Sequence, residues 1–329
     1  MGERSFVKSP VDNRDWVFEN LCSGGGKTIK GVIRTLRSKP PIITPPAEFL
    51  SPPIDYTDYE EPIRDQGSRG TCAAFAGAAI KEMYENMRDG RQPATASRYF
   101  DDAMHPQWLS PEFIYYHREV RPIGGMYGRN VFKILQQIGT VPEEHYPYSD
   151  EIRSPANSPR QSTADLSLGE GNFPQRTTEG PHVARPTVEL MAMAAAHRIS
   201  NYARIDTADG LRQALSSIGP CYMSLPLYRK TAYFWRPVDD VAARGHAVVV
   251  VGYNGSGFIL RNSWGADWNG DGHTIFPYSD WKYQWECWVP IDIDEPATPP
   301  IETIIPDRPL PRWRRWIIRQ LQRMQQCVS

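Results

Sequence analysis

The chain has 329 residues, and its 37 Lys and Arg residues balance 38 Asp and Glu residues to a formal net charge of −1 at pH 7. This length predicts about two domain-sized units, and the near-neutral charge excludes a protein that binds polyanions over its whole surface. No apolar run approaches the ~20 residues of a membrane-spanning helix. The 30 prolines, 10 tryptophans and 16 tyrosines disfavour a plain helical bundle and favour long ordered loops.

Residues 1–50 are polar, with glycines at 24–26 and prolines between 40 and 46. We predict an extension that packs on, or drapes over, the main domain. Residues 1–16 contain no apolar segment typical of a secretory signal, so we expect a cytoplasmic protein or one exported without a cleavable signal. The five cysteines have neither zinc-site nor redox-motif spacing: Cys22, Cys72, Cys221, Cys287 and Cys327.

Helical patterns dominate residues 51–150. One predicted helix begins at Cys72, because the apolar residues that follow recur on a single helical face. Two more helices are predicted at 111–116 and 131–138, the second ended by Gly139, which is suited to a left-handed cap. Residues 150–186 lack periodicity and predict a long loop or insertion.

The pattern changes to strands after residue 202. A helix is predicted at 208–218, followed by strands at 221–225, 246–251 and 258–263, and by strand-like aromatic sequence from 274 to 293. Helices followed by strands indicate an α+β fold. Beyond a proline-rich stretch, residues 312–326 show an amphipathic, basic helical pattern.

Cys72 is a candidate nucleophile. It lies in GSRGTCAAF, where two glycines favour a loop that leads into the predicted helix. The positive end of a helix dipole stabilises a thiolate, which is the nucleophilic form of cysteine. The alternative is a small buried cysteine that opens a helix for packing reasons.

His246 and Asn262 lie on two strands that the segment YNGSG joins as a hairpin. If the turn is centred on Asn254, these two residues are direct cross-strand neighbours on one face, with Cβ atoms roughly 4.5–5.5 Å apart. An asparagine beside a histidine can fix its tautomer and orientation. Each residue alone has a structural explanation, as a strand histidine or a turn former.

These three segments, GSRGTCAAF, GHAVVVVGY and ILRNSWGADW, resemble the papain-like cysteine peptidases, and weaker similarity extends over about residues 52–290. The resemblance implies a papain-like α+β fold with a helical left lobe and a β-barrel-like right lobe. The expected regions are an extension at 1–50, a peptidase domain at 51–292 and a linker with a basic helix at 293–329. Within the peptidase domain, the helical half spans about 60–150 and the β-rich half about 187–292.

The resemblance also implies roles for individual residues. Cys72 would be the nucleophile, His246 the general base and acid, and Asn262 the residue that orients His246. The Gln66 side chain and the Cys72 backbone N–H would form an oxyanion hole. Gly124 and Gly125 would form hydrogen bonds with the backbone of an extended substrate. Trp264, beside the substrate site, would shield the His246–Asn262 hydrogen bond from water.

Four positions depart from the family pattern. Arg69 replaces a cysteine that is disulfide-bonded in secreted members, and Ala73 replaces the usual tryptophan after the nucleophile. Gly245 replaces a polar residue before the histidine. Arg244 matches an apolar position of the S2 pocket, so we expect it to favour acidic residues at P2, unless it points to solvent.

The leading functional hypothesis is a cysteine peptidase that forms a thioester on Cys72 and acts on a protein or peptide. The alternatives are an acyltransferase, amidase or isopeptidase of the same fold, and a catalytically weak binding protein. No cofactor, metal or nucleic acid is expected, although DWNGDG at 267–272 matches the opening of a calcium-binding loop; its twelfth position is Tyr278, not glutamate.

Both termini leave alternatives open. The segment 1–50 is shorter than the family's inhibitory propeptide, so it is either structural or a cover for the cleft. The helix at 312–326 could dock on the protein, contact a partner or second copy, or lie on an anionic membrane surface.

Overall fold

The computed structural model describes residues 9–10, 12, 15–19, 52–93, 107–119, 124–149, 185–239 and 243–292. The predicted C-terminal region 293–329, with its helix at 312–326, lies outside these residues, as do most of the extension 1–50 and of the loop 150–186. In the described part of the chain, no helix is long and apolar enough to cross a membrane.

Helices form the first half of the described chain and return at two points in the second half. Their bounds are α1 Cys72–Asp89, α2 Pro111–Tyr116, α3 Gly128–Gln137, α4 Val188–Ala194 and α5 Ala208–Ser217. The predicted helices at 72, 111, 131 and 208 are confirmed within a few residues.

The central helix α1 is buried along most of its length, from Cys72 to Asn86. It ends at Gly90, whose φ of 65° is the left-handed conformation that glycine adopts without strain. Its glycine at 77 permits close approach of α3, because a Cβ there would collide with the side chain of Val131. The helix therefore fixes Cys72 rigidly at its first turn.

The described residues form seven strands in a single antiparallel sheet: β1 Ile54–Asp55, β2 Asn201–Ile205, β3 Cys221–Leu227, β4 Arg244–Asn254, β5 Gly257–Arg261, β6 His273–Pro277 and β7 Glu286–Ile291. The strand order is β2-β7-β3-β4-β5-β6, and β1 also pairs with β4. The predicted α+β class is confirmed by this arrangement of helices and an antiparallel sheet.

The β4–β5 hairpin is formed, but its predicted register is wrong. Asn254 pairs with Gly257, so the turn is centred between Gly255 and Ser256 rather than on Asn254. A bulge between Val250 and Gly252 then reduces this offset from three residues to two, so that Val249 pairs with Arg261. Strand β5 ends at Arg261, and Asn262 therefore lies beyond the ladder instead of directly opposite His246.

Two apolar clusters hold the sheet and helices together. In the first, α1 and α3 pack on the sheet face that carries Ala247 and Val249. In the second, the opposite face, with Val248 and Val250, packs on α5 and on aromatic residues near His246. Because side chains alternate along a strand, His246 and Ala247 point to different clusters.

Residues 17–19 of the N-terminal extension lie against the β-rich half. Val17 pairs in parallel with Arg204 of β2, and Phe18 is fully buried. The Glu19 carboxylate accepts hydrogen bonds from the backbone N–H groups of Asp206 and Thr207, at the start of α5. These contacts agree with an extension that packs on the main domain.

Candidate active site

Cys72 opens α1 and is fully buried against β4. Burial raises the pKa of its thiol to about 12, whereas the backbone N–H groups of Ala247, Ala73 and Cys72 itself lower it. The sulfur thus lies beside the residue that follows His246. Burial thus opposes the stabilisation of a thiolate that the backbone N–H groups at the start of α1 provide.

His246 is buried near the start of β4 and is paired with Asn262. Its Nε2 lies 2.7 Å from Asn262 Oδ1, and that oxygen also accepts the backbone N–H of Ser263 at 2.8 Å. An amide oxygen can only accept, so Nε2 carries the proton and Nδ1 is the basic nitrogen. The two side chains meet although the predicted register was wrong. The register was wrong by two residues, and a shift of two residues leaves a side chain on the same face of the sheet.

Aromatic rings enclose this imidazole. Trp264 stacks on it with a centroid separation of 4.4 Å, and Phe234 meets it edge-on at 5.2 Å. Trp268 packs edge-on against Trp264 at 5.2 Å. These rings exclude water from the His246–Asn262 hydrogen bond, which strengthens it.

The same enclosure changes the basicity of His246. Burial lowers its pKa to about 4, the hydrogen bond to Asn262 raises it, and the positive charge of Lys230 lowers it further. Burial thus favours the neutral forms of the Cys72 thiol and the His246 imidazole, and the hydrogen bonds of both groups oppose this effect. A nucleophilic thiolate forms as the proton moves from the thiol to the imidazole.

Gln66 lies between the two halves of the site. Its backbone N–H donates to Ser263 O at 2.9 Å, and its side-chain Oε1 accepts the Ser263 hydroxyl at 2.6 Å. Its Nε2 donates to Arg69 O at 2.9 Å. Gln66 is therefore fixed beside Asn262 by Ser263, and it precedes Cys72 by one short loop.

The residues predicted to contact substrate differ in how far they are buried. Gly124 and Gly125 are buried, and the Gly125 N–H lies 3.3 Å from the Tyr115 hydroxyl. Gly125 has a φ of 113°, which favours glycine. Arg244 is exposed at the first position of β4, and Gly245 after it is buried.

Sequence reasoning missed two parts of this site. Phe234 belongs to the irregular segment 228–236, where only the aromatic run YFW hinted at burial. Ser263 stands in the ILRNSW segment, but its contact with Gln66 joins residues 197 apart in the chain. No periodic pattern signals either contact.

The described residues contain no group of three or more His, Cys, Asp and Glu side chains suited to a metal ion. Asp267 and Asp271, in the segment that resembles a calcium-binding loop, are exposed. The Asp271 side chain accepts the backbone N–H of His273 at 3.0 Å. The donor set here is that of an ordinary turn.

Part of the chain is similar to a known protein family. The family described as papain family cysteine protease matches residues 122–283. This match contains His246 and Asn262 and begins after Cys72.

Two curated proteins illustrate the similarity. Mouse cathepsin K is 24% identical over 238 residues, which cover 68% of this chain and 58% of cathepsin K. An uncharacterized peptidase C1-like protein of Acanthamoeba polyphaga mimivirus is 24% identical over 320 residues, covering 88% of this chain and 87% of its own. The chain thus spans little more than half of cathepsin K.

Two solved structures share the fold. Xylellain, a cysteine protease from Xylella fastidiosa, superposes with a TM-score of 0.59 at 23% identity, covering 89% of this chain and 98% of its own. Procathepsin L2 from Tenebrio molitor larval midgut gives 0.53 at 16% identity, covering 88% and 78%. The predicted papain-like fold is confirmed.

Proposed function

We propose that this chain is a cysteine protease of the papain family and hydrolyses peptide bonds through a thioester on Cys72. The observation that carries the proposal is the enclosed His246–Asn262 pair at 2.7 Å, with the Cys72 sulfur against the neighbouring Ala247 N–H. These groups supply a nucleophile, a base and an orienting residue.

The first half-reaction forms the acyl-enzyme. The Cys72 proton moves to Nδ1 of His246, and the sulfur attacks the carbonyl carbon of the scissile amide. The oxyanion accepts hydrogen bonds from the Gln66 carboxamide and the Cys72 backbone N–H. The C–N bond then breaks as His246 returns the proton to the leaving amine, which leaves a thioester.

The second half-reaction releases the acyl group. His246 removes a proton from a water molecule, whose oxygen attacks the thioester carbonyl. The C–S bond breaks, the thiolate recovers a proton from the imidazolium, and a carboxylic acid leaves. The imidazole is neutral again after each half-reaction, because the proton that it takes from Cys72 passes to the leaving amine and the one that it takes from water passes to the thiolate.

The test uses a mixture of fluorogenic peptides, with the acyl adduct located by mass spectrometry. We expect Cys72→Ser to lose at least about 10⁴-fold in kcat/KM, because a serine is a far weaker nucleophile here. Cys221→Ala is the matched control, since Cys221 is equally buried but lies on β3. A Cys72→Ser protein as active as the wild type would contradict the proposal.

The same experiment separates the alternative functions. Acyl transfer to an added amine in preference to water would identify a transferase. A folded wild-type protein that neither hydrolyses any peptide nor forms an adduct at Cys72 would identify a binding protein and overturn the proposal.

A further inference from the structure

The loop 66–71 connects the predicted oxyanion residue Gln66 to the nucleophile at Cys72. Ser263 holds one end of this loop, because it receives the Gln66 backbone N–H and donates to Gln66 Oε1. The Tyr148 hydroxyl donates to Gln66 O at 2.7 Å and lies 3.0 Å from the Thr71 hydroxyl. These contacts fix the backbone of Gln66 and the oxygen of its carboxamide.

The nitrogen of the carboxamide is fixed by a different residue. Gln66 Nε2 donates to the backbone carbonyl of Arg69 at 2.9 Å. A carboxamide nitrogen carries two hydrogens, so the hydrogen that Arg69 accepts determines the direction of the other. The position of the Arg69 carbonyl therefore sets the direction in which Gln66 can donate to an oxyanion.

The Arg69 side chain is buried, and its guanidinium makes a bidentate contact with helix α2. Its two terminal nitrogens each donate to an oxygen of the Glu112 carboxylate, one of them at 2.9 Å. Nη1 also donates to Ser149 O at 2.7 Å. The guanidinium lies over the rings of Tyr148 at 4.9 Å and Tyr115 at 5.4 Å.

This arrangement is rigid and charged. Burial lowers the pKa of Arg69, but the hydrogen bond and the charge of Glu112 raise it by more, so the guanidinium stays charged. Two parallel N–H···O bonds restrict the guanidinium more than a single contact does. Glu112 is itself held in the first turn of α2, which Ser110 caps.

We propose that the buried Arg69–Glu112 ion pair positions the Gln66 carboxamide for oxyanion stabilisation, through the Arg69 backbone carbonyl. The inference rests on the proposed peptidase function. Arg69 and Glu112 are positioning residues, because they act through Gln66 and touch no reacting atom. The Glu112 carboxylate fixes the Arg69 guanidinium, and the Arg69 carbonyl accepts one hydrogen of Gln66 Nε2. The second hydrogen of Nε2 then points towards the position of the oxyanion.

The test compares two reactions of the same thiol in wild type and Glu112→Gln. Peptide hydrolysis passes through an oxyanion, whereas alkylation by iodoacetamide is a displacement at carbon that forms none. We expect kcat/KM of Glu112→Gln to fall by about 10–100-fold, mostly in kcat, since small displacements of catalytic donors are costly. The alkylation rate of Cys72 is expected to stay within about twofold of the wild type.

A double-mutant cycle identifies Gln66 as the intermediary. In a Gln66→Ala background, Glu112→Gln is expected to change kcat/KM by less than about threefold, because the group that it positions is gone. Glu112→Asp retains the charge and is expected to recover part of the activity; it also replaces Glu112→Gln if that variant does not fold.

The matched control is Asp292→Asn, which breaks the buried pair between Lys81 on α1 and Asp292 at the end of β7. It should lower thermal stability and leave the ratio of hydrolysis to alkylation unchanged. An equal fall of both reactions in the Glu112 variants, no fall in hydrolysis, or additive losses with Gln66→Ala would overturn the inference. A wild-type chain without hydrolysis would instead overturn the proposed function.

Discussion

The two sides of the active site are held by different forces. On the Cys72 side, buried ion pairs join α1 to Arg64 and to Asp292, and join α2 to Arg69 of the loop 66–71. Around His246, aromatic rings enclose the imidazole, and the Asn262 amide is its hydrogen-bond partner. The pairs on the first side are Arg64–Glu82, Arg69–Glu112 and Lys81–Asp292.

The difference corresponds to what each side has to do. An ion pair with two parallel hydrogen bonds fixes direction, which an oxyanion donor requires. Stacked rings fix little direction but exclude water, which keeps the base neutral and its hydrogen bond strong. A carboxylate in place of Asn262 would raise the pKa of His246, whereas the positive charge of Lys230 on this side lowers it.

The largest effect is expected when the hydrogen bond between Asn262 and His246 is removed. Asn262→Ala removes the acceptor of Nε2–H, so the imidazole loses its fixed tautomer, and we expect kcat/KM to fall by about 10³-fold. Asn262→Asp keeps an acceptor but adds a charge that raises the pKa of His246. Its activity should therefore decline at a higher pH on the acid side than that of the wild type.

The measurement is kcat/KM for one peptide between pH 4 and 8. Asn201→Ala, on the edge strand β2, is the matched control and should keep its rate. An Asn262→Ala protein within about threefold of the wild type would show that the rings alone orient the imidazole.

The next effect concerns stability in acid. The pKa of His246 is lowered to about 4 in the folded chain from an ordinary 6.5, so protonation favours the unfolded chain. The stability due to the neutral imidazole is complete above pH 6.5 and is lost as the pH falls towards 4. This difference corresponds to about 3 kcal/mol of unfolding free energy.

Urea unfolding at several pH values measures this loss as the difference between wild type and His246→Ala. The comparison is needed because burial raises the pKa of Glu61 and of Glu143 to about 7, and their contribution to stability is lost as the pH rises from 4.5 to 7. Phe234→Ala, which admits water to the imidazole, should reduce the loss attributed to His246. An unchanged loss would assign the low pKa to Lys230.

Much of this site could be predicted from the sequence, and the remainder could not, for identifiable reasons. Cys72 was placed at a helix start by the glycines before it and the apolar face after it, both of which are local signals. The register of His246 and Asn262 was wrong because a two-residue turn and a bulge at Val251 leave little trace in residue types. The face was right because side chains repeat every two residues.

The contacts that distinguish the two sides are not local. Arg69 and Glu112 are 43 residues apart, and either could have been a solvated surface residue by its type alone. Phe234 lies in an irregular segment, and its burial follows from contacts of the neighbouring Trp235 and Arg236 with Asp280. Such pairings arise from the tertiary fold, which one sequence without relatives does not reveal.

The smallest expected effect concerns Arg244, a charged residue on the His246 side that is exposed to solvent. Arg244 is exposed at the first position of β4, two residues before His246, and therefore on the same strand face. We expect Arg244→Ala to lower the preference for Asp or Glu over Leu at P2 by about 3–5-fold, because exposed ion pairs contribute less than about 1 kcal/mol. In ~1 M salt this change should disappear, since charges in solvent are then screened within about 3 Å.

Competing peptide pairs, with Arg229→Ala as the exposed control, measure this preference. A selectivity that Arg244→Ala leaves unchanged at low salt would show that the guanidinium points away from bound peptide. The Arg69–Glu112 pair should keep its effect on kcat at the same high salt, because it is buried. Salt therefore distinguishes a charge that positions a catalytic group inside the protein from one that selects substrate at its surface.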